Sequence, residues 1–155
     1  MRMRTDSAAL AARHFRIGWW QLLVFLLLGI VLEGLHAVKA EFYLGVTSEG
    51  RRLLWTLAHV HGTLFSLIHL ALACTFRLRP HRSVRLAAVA SRCLTLGGML
   101  MPSGFVLCGI APYGGHQSPA AWVVRAGAVL VLVAVRSTAV GTGFSPVAAR
   151  QKNPE

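Results

Sequence analysis

Residues 53–76 read LLWTLAHVHGTLFSLIHLALACTF, a stretch without a single Asp, Glu, Lys or Arg. Roughly 20 mostly apolar residues carry a helix across a hydrocarbon core about 30 Å thick. This stretch is therefore the clearest transmembrane span in the chain, and it decides the fold class. It stops at RLRPHRSVR, residues 77–85, where four arginines and Pro80 end the helix and turn the chain back.

Three further runs surround it. Residues 17–38, IGWWQLLVFLLLGIVLEGLHAV, form the first span, preceded by a basic segment, 1–16. Val38-Lys39-Ala40 has the small residues of a signal-peptidase site. The apolar run, however, exceeds the roughly 7–15 residues of a leader's apolar region, so a retained span is the expectation. A third span covers 86–111 and is interrupted by Gly97-Gly98 and by Pro102-Ser103-Gly104. Proline removes a helix hydrogen bond, so a kink is expected at Pro102, with the freed carbonyl taken up by a neighbour. The fourth span, 119–140, opens on Pro119, a favoured first helical residue, and carries Arg125. The tail 141–155 is polar and expected to be disordered.

Composition agrees with this count. Of 155 residues 55% are hydrophobic and 14% charged, against the quarter or so that is charged in soluble domains. Four spans and short loops leave no room for a soluble domain, and the expected fold is an all-α, four-helix transmembrane bundle. The net charge of +11 does not point to nucleic acid, because the basic residues flank apolar runs and do not form a folded polar surface. Twelve of the sixteen Lys and Arg fall on the side that holds both termini and residues 77–85, and four, Lys39, Arg51, Arg52 and Arg125, on the other. Positive residues stay inside, so both termini are expected in the cytoplasm, with a bacterial inner membrane as the setting. The lipid bilayer is then the first partner, with a homo-oligomer or a larger membrane complex as further ones. Cys74, Cys93 and Cys108 suggest no disulfide framework.

The informative residues are the polar ones at membrane depth. At 1.5 Å per residue, Glu33, His59, His61 and Arg125 lie within about 12 Å of the outer ends of their spans. His36 and His116 lie at that boundary. A charge in hydrocarbon costs several kcal/mol, so Glu33 and Arg125 are expected to face the bundle interior and to pair. On the second span His59, Thr63, Ser66 and His69 share one stripe, whereas His61 points to nearly the opposite side.

Three functions fit these groups. The first is a structural or interaction subunit with a buried polar cluster on its outer side. The second is a metal or haem site built from His36, His59 and His61, with Glu33 and His116 in support, since imidazole suits zinc, copper and iron. The segment HVHGTLFSLIHL, residues 59–70, resembles the histidine-bearing helices of haem–copper oxidase subunits over that length alone. The third is a proton or small-solute path through Glu33, His59 and His69. Soluble-enzyme signatures are missing: no Gly-rich phosphate loop, nucleophile elbow or Cys-x-x-Cys occurs, and the reading leans away from an enzyme.

Overall fold

The computed structural model describes residues 2–79, 83–110 and 118–143. Helix α1 runs Arg2–Ala37, a short α2 Glu41–Leu44, a 3-10 turn Val46–Ser48, α3 Glu49–Leu78, α4 Val84–Ile110 and α5 Ala120–Gly141. Among the described residues there is no strand. Four segments, Ser7–Ala37, Val46–Leu78, Val84–Ile110 and Ala120–Gly141, are long and apolar enough to cross a membrane.

Helix α1 starts well before the apolar run does. Ala and Arg, which dominate residues 8–13, are strong helix formers, so nothing local stops the helix at Arg13 or Arg16. The helix period then separates the faces: Arg13 and Arg16 are exposed, while Ala11 and His14 are wholly buried. The basic segment is thus continuous with the first span.

Each long helix packs on the one before it: α3 on α1, α4 on α3 and α5 on α4. Among the described residues α1 and α5 form no interface of comparable extent, so the bundle is an open row with α1 and α5 at its edges. Less of the length of α1 and α5 is buried than of α3 and α4. Trp20, Ile30, Val129 and Leu132 lie exposed along these edges, as lipid-facing side chains would.

Backbones meet most closely between α4 and α5. A Cβ on Gly97 would lie 2.7 Å from the Gly127 carbonyl oxygen, and one on Gly127 2.7 Å from the Met101 nitrogen. Lipid tails are as apolar as leucine, so close packing of this kind, not apolar burial, holds such helices together. Helix α4 continues through Pro102. Pro102 has no N–H for the Gly98 carbonyl four residues earlier, and Gln21 of α1 supplies the missing donor, Nε2–H to Gly98 O at 2.8 Å.

The opposite end of the row is tied by α2. Tyr43 stacks on Trp55 with ring centroids 6.2 Å apart. Arg51 donates to Phe42 O at 2.8 Å and to Gly109 O at 3.1 Å, fastening α2 and the end of α4 to α3.

Candidate functional site

The seam between α1 and α3 holds four of the buried polar side chains among the described residues, His14, Gln21, Ser66 and His69. Helical neighbours three and four apart share a face, and on α1 that spacing lines up His14, Gly18, Gln21, Phe25, Gly29 and His36. On α3 it lines up His59, Gly62, Ser66 and His69. Large groups of one helix seat on glycines of the other. The His59 ring lies where a Cβ of Gly29 would be, 2.5–3.0 Å from it, and the Phe25 ring covers Gly62 in the same way.

At the α2 end the seam widens into a cavity of about 420 Å³ lined by Glu33, His36, Tyr43, Thr56 and His59 together with apolar residues of α1. His59 donates Nδ1–H to the Phe25 carbonyl at 2.7 Å, which leaves Nε2 as the acceptor nitrogen. His36 meets Tyr43 edge-on at 6.2 Å. Three of the residues singled out in the sequence, Glu33, His36 and His59, thus surround one space.

The others do not join them. His61 donates Nδ1–H to Leu57 O at 2.8 Å and lies between Phe65 and Phe105, on the side of α3 that faces α4. His116 lies outside the described residues. Among the described residues no three His, Cys, Asp or Glu side chains gather as a metal site would require. Arg125 sits on α5 with its guanidinium 4.6 Å over the Trp122 ring. Glu33 is on α1, at the other edge of the row, so the structure does not bring the expected pair together within one chain.

Toward the arginine-rich end the seam holds a constellation absent from the sequence reading. His14 and His69 are completely buried, with Nδ1 to Nδ1 2.7 Å and rings stacked 4.9 Å apart. His14 Nε2 reaches Ser91 Oγ of α4 at 2.9 Å. Among the described residues His69 Nε2 has no hydrogen-bond partner; it lies 3.4 Å from where a Cβ of Gly98 would be, and the Gln21 amide nitrogen is 3.7 Å from the same point.

A contact between two Nδ1 atoms has a definite consequence, because one must carry the proton and the other the lone pair. In one arrangement His14 donates to His69, accepts from Ser91 and leaves a proton on His69 Nε2. In the other His69 donates to His14, His14 donates to Ser91, and His69 Nε2 is bare. The two differ by a concerted shift along Ser91, His14 and His69 in which one proton leaves at His69 Nε2 and one is taken up at Ser91 Oγ, so that no group is left charged.

His14 escaped the sequence reading because arginines on the exposed face interrupt the apolar run before residue 17, and Ser91 because it stands beside Arg92, whereas Gln21 lies inside the first span as a lone polar residue. The signal available was spacing: His14 stands seven residues before Gln21, and Ser91 seven before Gly98, so each lies two turns along the same helical face. Thr63, Ser66 and His69 do share the α1-facing stripe, with Ser66 donating to Gly62 O at 2.7 Å. No family model, no curated protein and no solved structure matches the chain.

Proposed function

We propose that the chain is a small multi-pass membrane protein that relays protons along the α1–α3 seam, between the cavity of Glu33, His36 and His59 and the buried pair His14 and His69. One observation carries the reading. Gln21 Oε1, Thr63 Oγ1 and His69 Nε2, the buried side-chain polar atoms without a partner among the described residues, all belong to helices of this seam. Buried polar atoms are almost always satisfied by protein or by ordered water. Unsatisfied groups beside an imidazole pair are the lining that a hydrogen-bonded water file requires.

A proton delivered to His69 Nε2 displaces the one on His69 Nδ1 to His14 Nδ1. That in turn moves the His14 Nε2 proton to Ser91 Oγ, and the hydroxyl releases its own. One proton enters and one leaves. Phe25, packed on Gly62, separates the cavity from this relay and has to swing aside for the file to be continuous. The arginine asymmetry supports placing the cavity outside and Ser91 toward the cytoplasm, with both termini inside.

The test is proton flux into liposomes loaded with a pH-sensitive dye, driven by a potassium diffusion potential. Wild-type protein and His61→Ala are expected to conduct alike, and His69→Ala to lose the flux while remaining folded, with a lower unfolding midpoint because His14 Nδ1 loses its partner. Wild-type vesicles no leakier than empty ones at any gradient, or full flux in His69→Ala, would overturn the reading.

A further inference from the structure

The cavity between α1 and α3 has an electronegative lining and, among the described residues, no Lys or Arg in it. Glu33 contributes a carboxylate and Thr56 a hydroxyl, while His59, its Nδ1–H engaged by the Phe25 carbonyl, keeps Nε2 as an acceptor. Much of the remaining wall is apolar, with Leu26, Ile30 and Leu32. Glu33, Ile30 and Thr56 are exposed, so in a row of helices flanked by lipid the cavity opens sideways into the hydrocarbon. Glu33 lies four residues before the end of α1 at Ala37, about 6 Å below it at 1.5 Å per residue. It makes no ion pair among the described residues.

From this we infer that the cavity is a binding site for a lipophilic organic cation, an ion whose single positive charge is carried on a large apolar body. The ion enters from the lipid and sets its charge beside Glu33. A carboxylate at this depth strongly favours a cation at its own level, because hydrocarbon solvates neither. A compact metal ion needs several ligands to replace its water, and no three His, Cys, Asp or Glu side chains gather among the described residues. The cost of leaving water falls as the ion grows and its charge spreads, so one carboxylate and apolar walls suffice for a large ion. The volume, about 420 Å³, lies within the roughly 300–1,000 Å³ of sites for drug-sized ligands. The ammonium of a phospholipid headgroup carries the same charge, but it stays at the interface beyond Ala37, about one helical turn above Glu33.

The probe is radiolabelled tetraphenylphosphonium, bound to the full chain in detergent and in nanodiscs. No proton gradient is applied, so this site and the relay through the same cavity stand or fall separately. Wild type is expected to bind the ion saturably, and tetraphenylborate, which has the same shape and the opposite charge, to leave it in place. Glu33→Gln is expected to weaken binding at least tenfold, as the loss of a desolvated charge partner does, and Glu33→Asp to restore most of it. Thr56→Trp, which fills the cavity and keeps the carboxylate, is expected to weaken binding as much, so a second variant blocks the site without touching the charge. Binding in phosphatidylglycerol nanodiscs is expected to persist when phosphatidylethanolamine is added. Displacement by that lipid would give the cavity to a headgroup and overturn the assignment to a free cation. An absence of saturable binding, equal binding of tetraphenylborate, or full binding in Glu33→Gln or in Thr56→Trp would each overturn the inference as well.

Discussion

The bond between Gln21 and the Gly98 carbonyl joins a helix defect in α4 to a side chain of α1, and it sets a quantitative expectation. Gln21→Leu keeps much of the volume but withdraws the amide donor. With Pro102 in place, Gly98 O then has neither its helical donor nor its replacement. A buried acceptor left unsatisfied costs about 1–3 kcal/mol, while side-chain hydrogen bonds between membrane helices average about 0.6 kcal/mol and reach about 1.7. The substitution also deletes the unpartnered Oε1, which returns part of the loss. The expected net cost is about 1 kcal/mol, in the upper part of the membrane range. In a Pro102→Ala background residue 102 regains its N–H and bonds Gly98 O within the helix, so Gln21→Leu should there cost close to nothing. The double-mutant cycle removes the separate cost of losing the proline ring and isolates a coupling of about 1 kcal/mol. Reversible unfolding in mixed micelles measures it. An equal loss in both backgrounds would show that Gln21 acts through packing and not through this carbonyl.

Two further substitutions bear on the same framework. Gly97→Ala places a methyl group 2.7 Å from the Gly127 carbonyl oxygen, where backbone cannot yield as a flexible side chain does. It should cost at least the 1–3 kcal/mol or so typical of overpacking, seen as a lower unfolding midpoint and faster proteolysis after α4. Ser91→Ala leaves His14 Nε2 without its partner. The expected signature is a modest loss of stability, about 1 kcal/mol, with abolished proton flux, and retention of flux would remove Ser91 from the path.

The long apolar stretches made four helices legible, since length and hydropathy need no knowledge of neighbours. Their order of packing was not, because any two of these helices present similar apolar faces. Glu33 and Arg125 show the difficulty: matched depth and opposite sign argue for a pair but do not say which helices are neighbours. The cavity group of Glu33, His36 and His59 was foreseeable because all three interrupt apolar runs. His14 was hidden among arginines, and whether it is buried depends on which face of α1 meets α3. The role of Gln21 follows from Pro102 only once α1 is known to cross α4 at Gly98.

The pairing of each long helix with its predecessor also bears on how the protein is made. Contacts between elements close in the chain need little loop closure before they are rewarded, and such topologies assemble quickly. Here α3 packs on α1, α4 packs on α3 and presents Gly98 to Gln21, and α5 packs on the glycines of α4, so each helix finds its partner among those already made. No helix has to wait for a distant partner, and no late arrival has to be threaded between two that have already joined. The buried histidine pair sits on α1 and α3 and needs no residue of α5, so the edge that carries Arg125 is the last surface to be made.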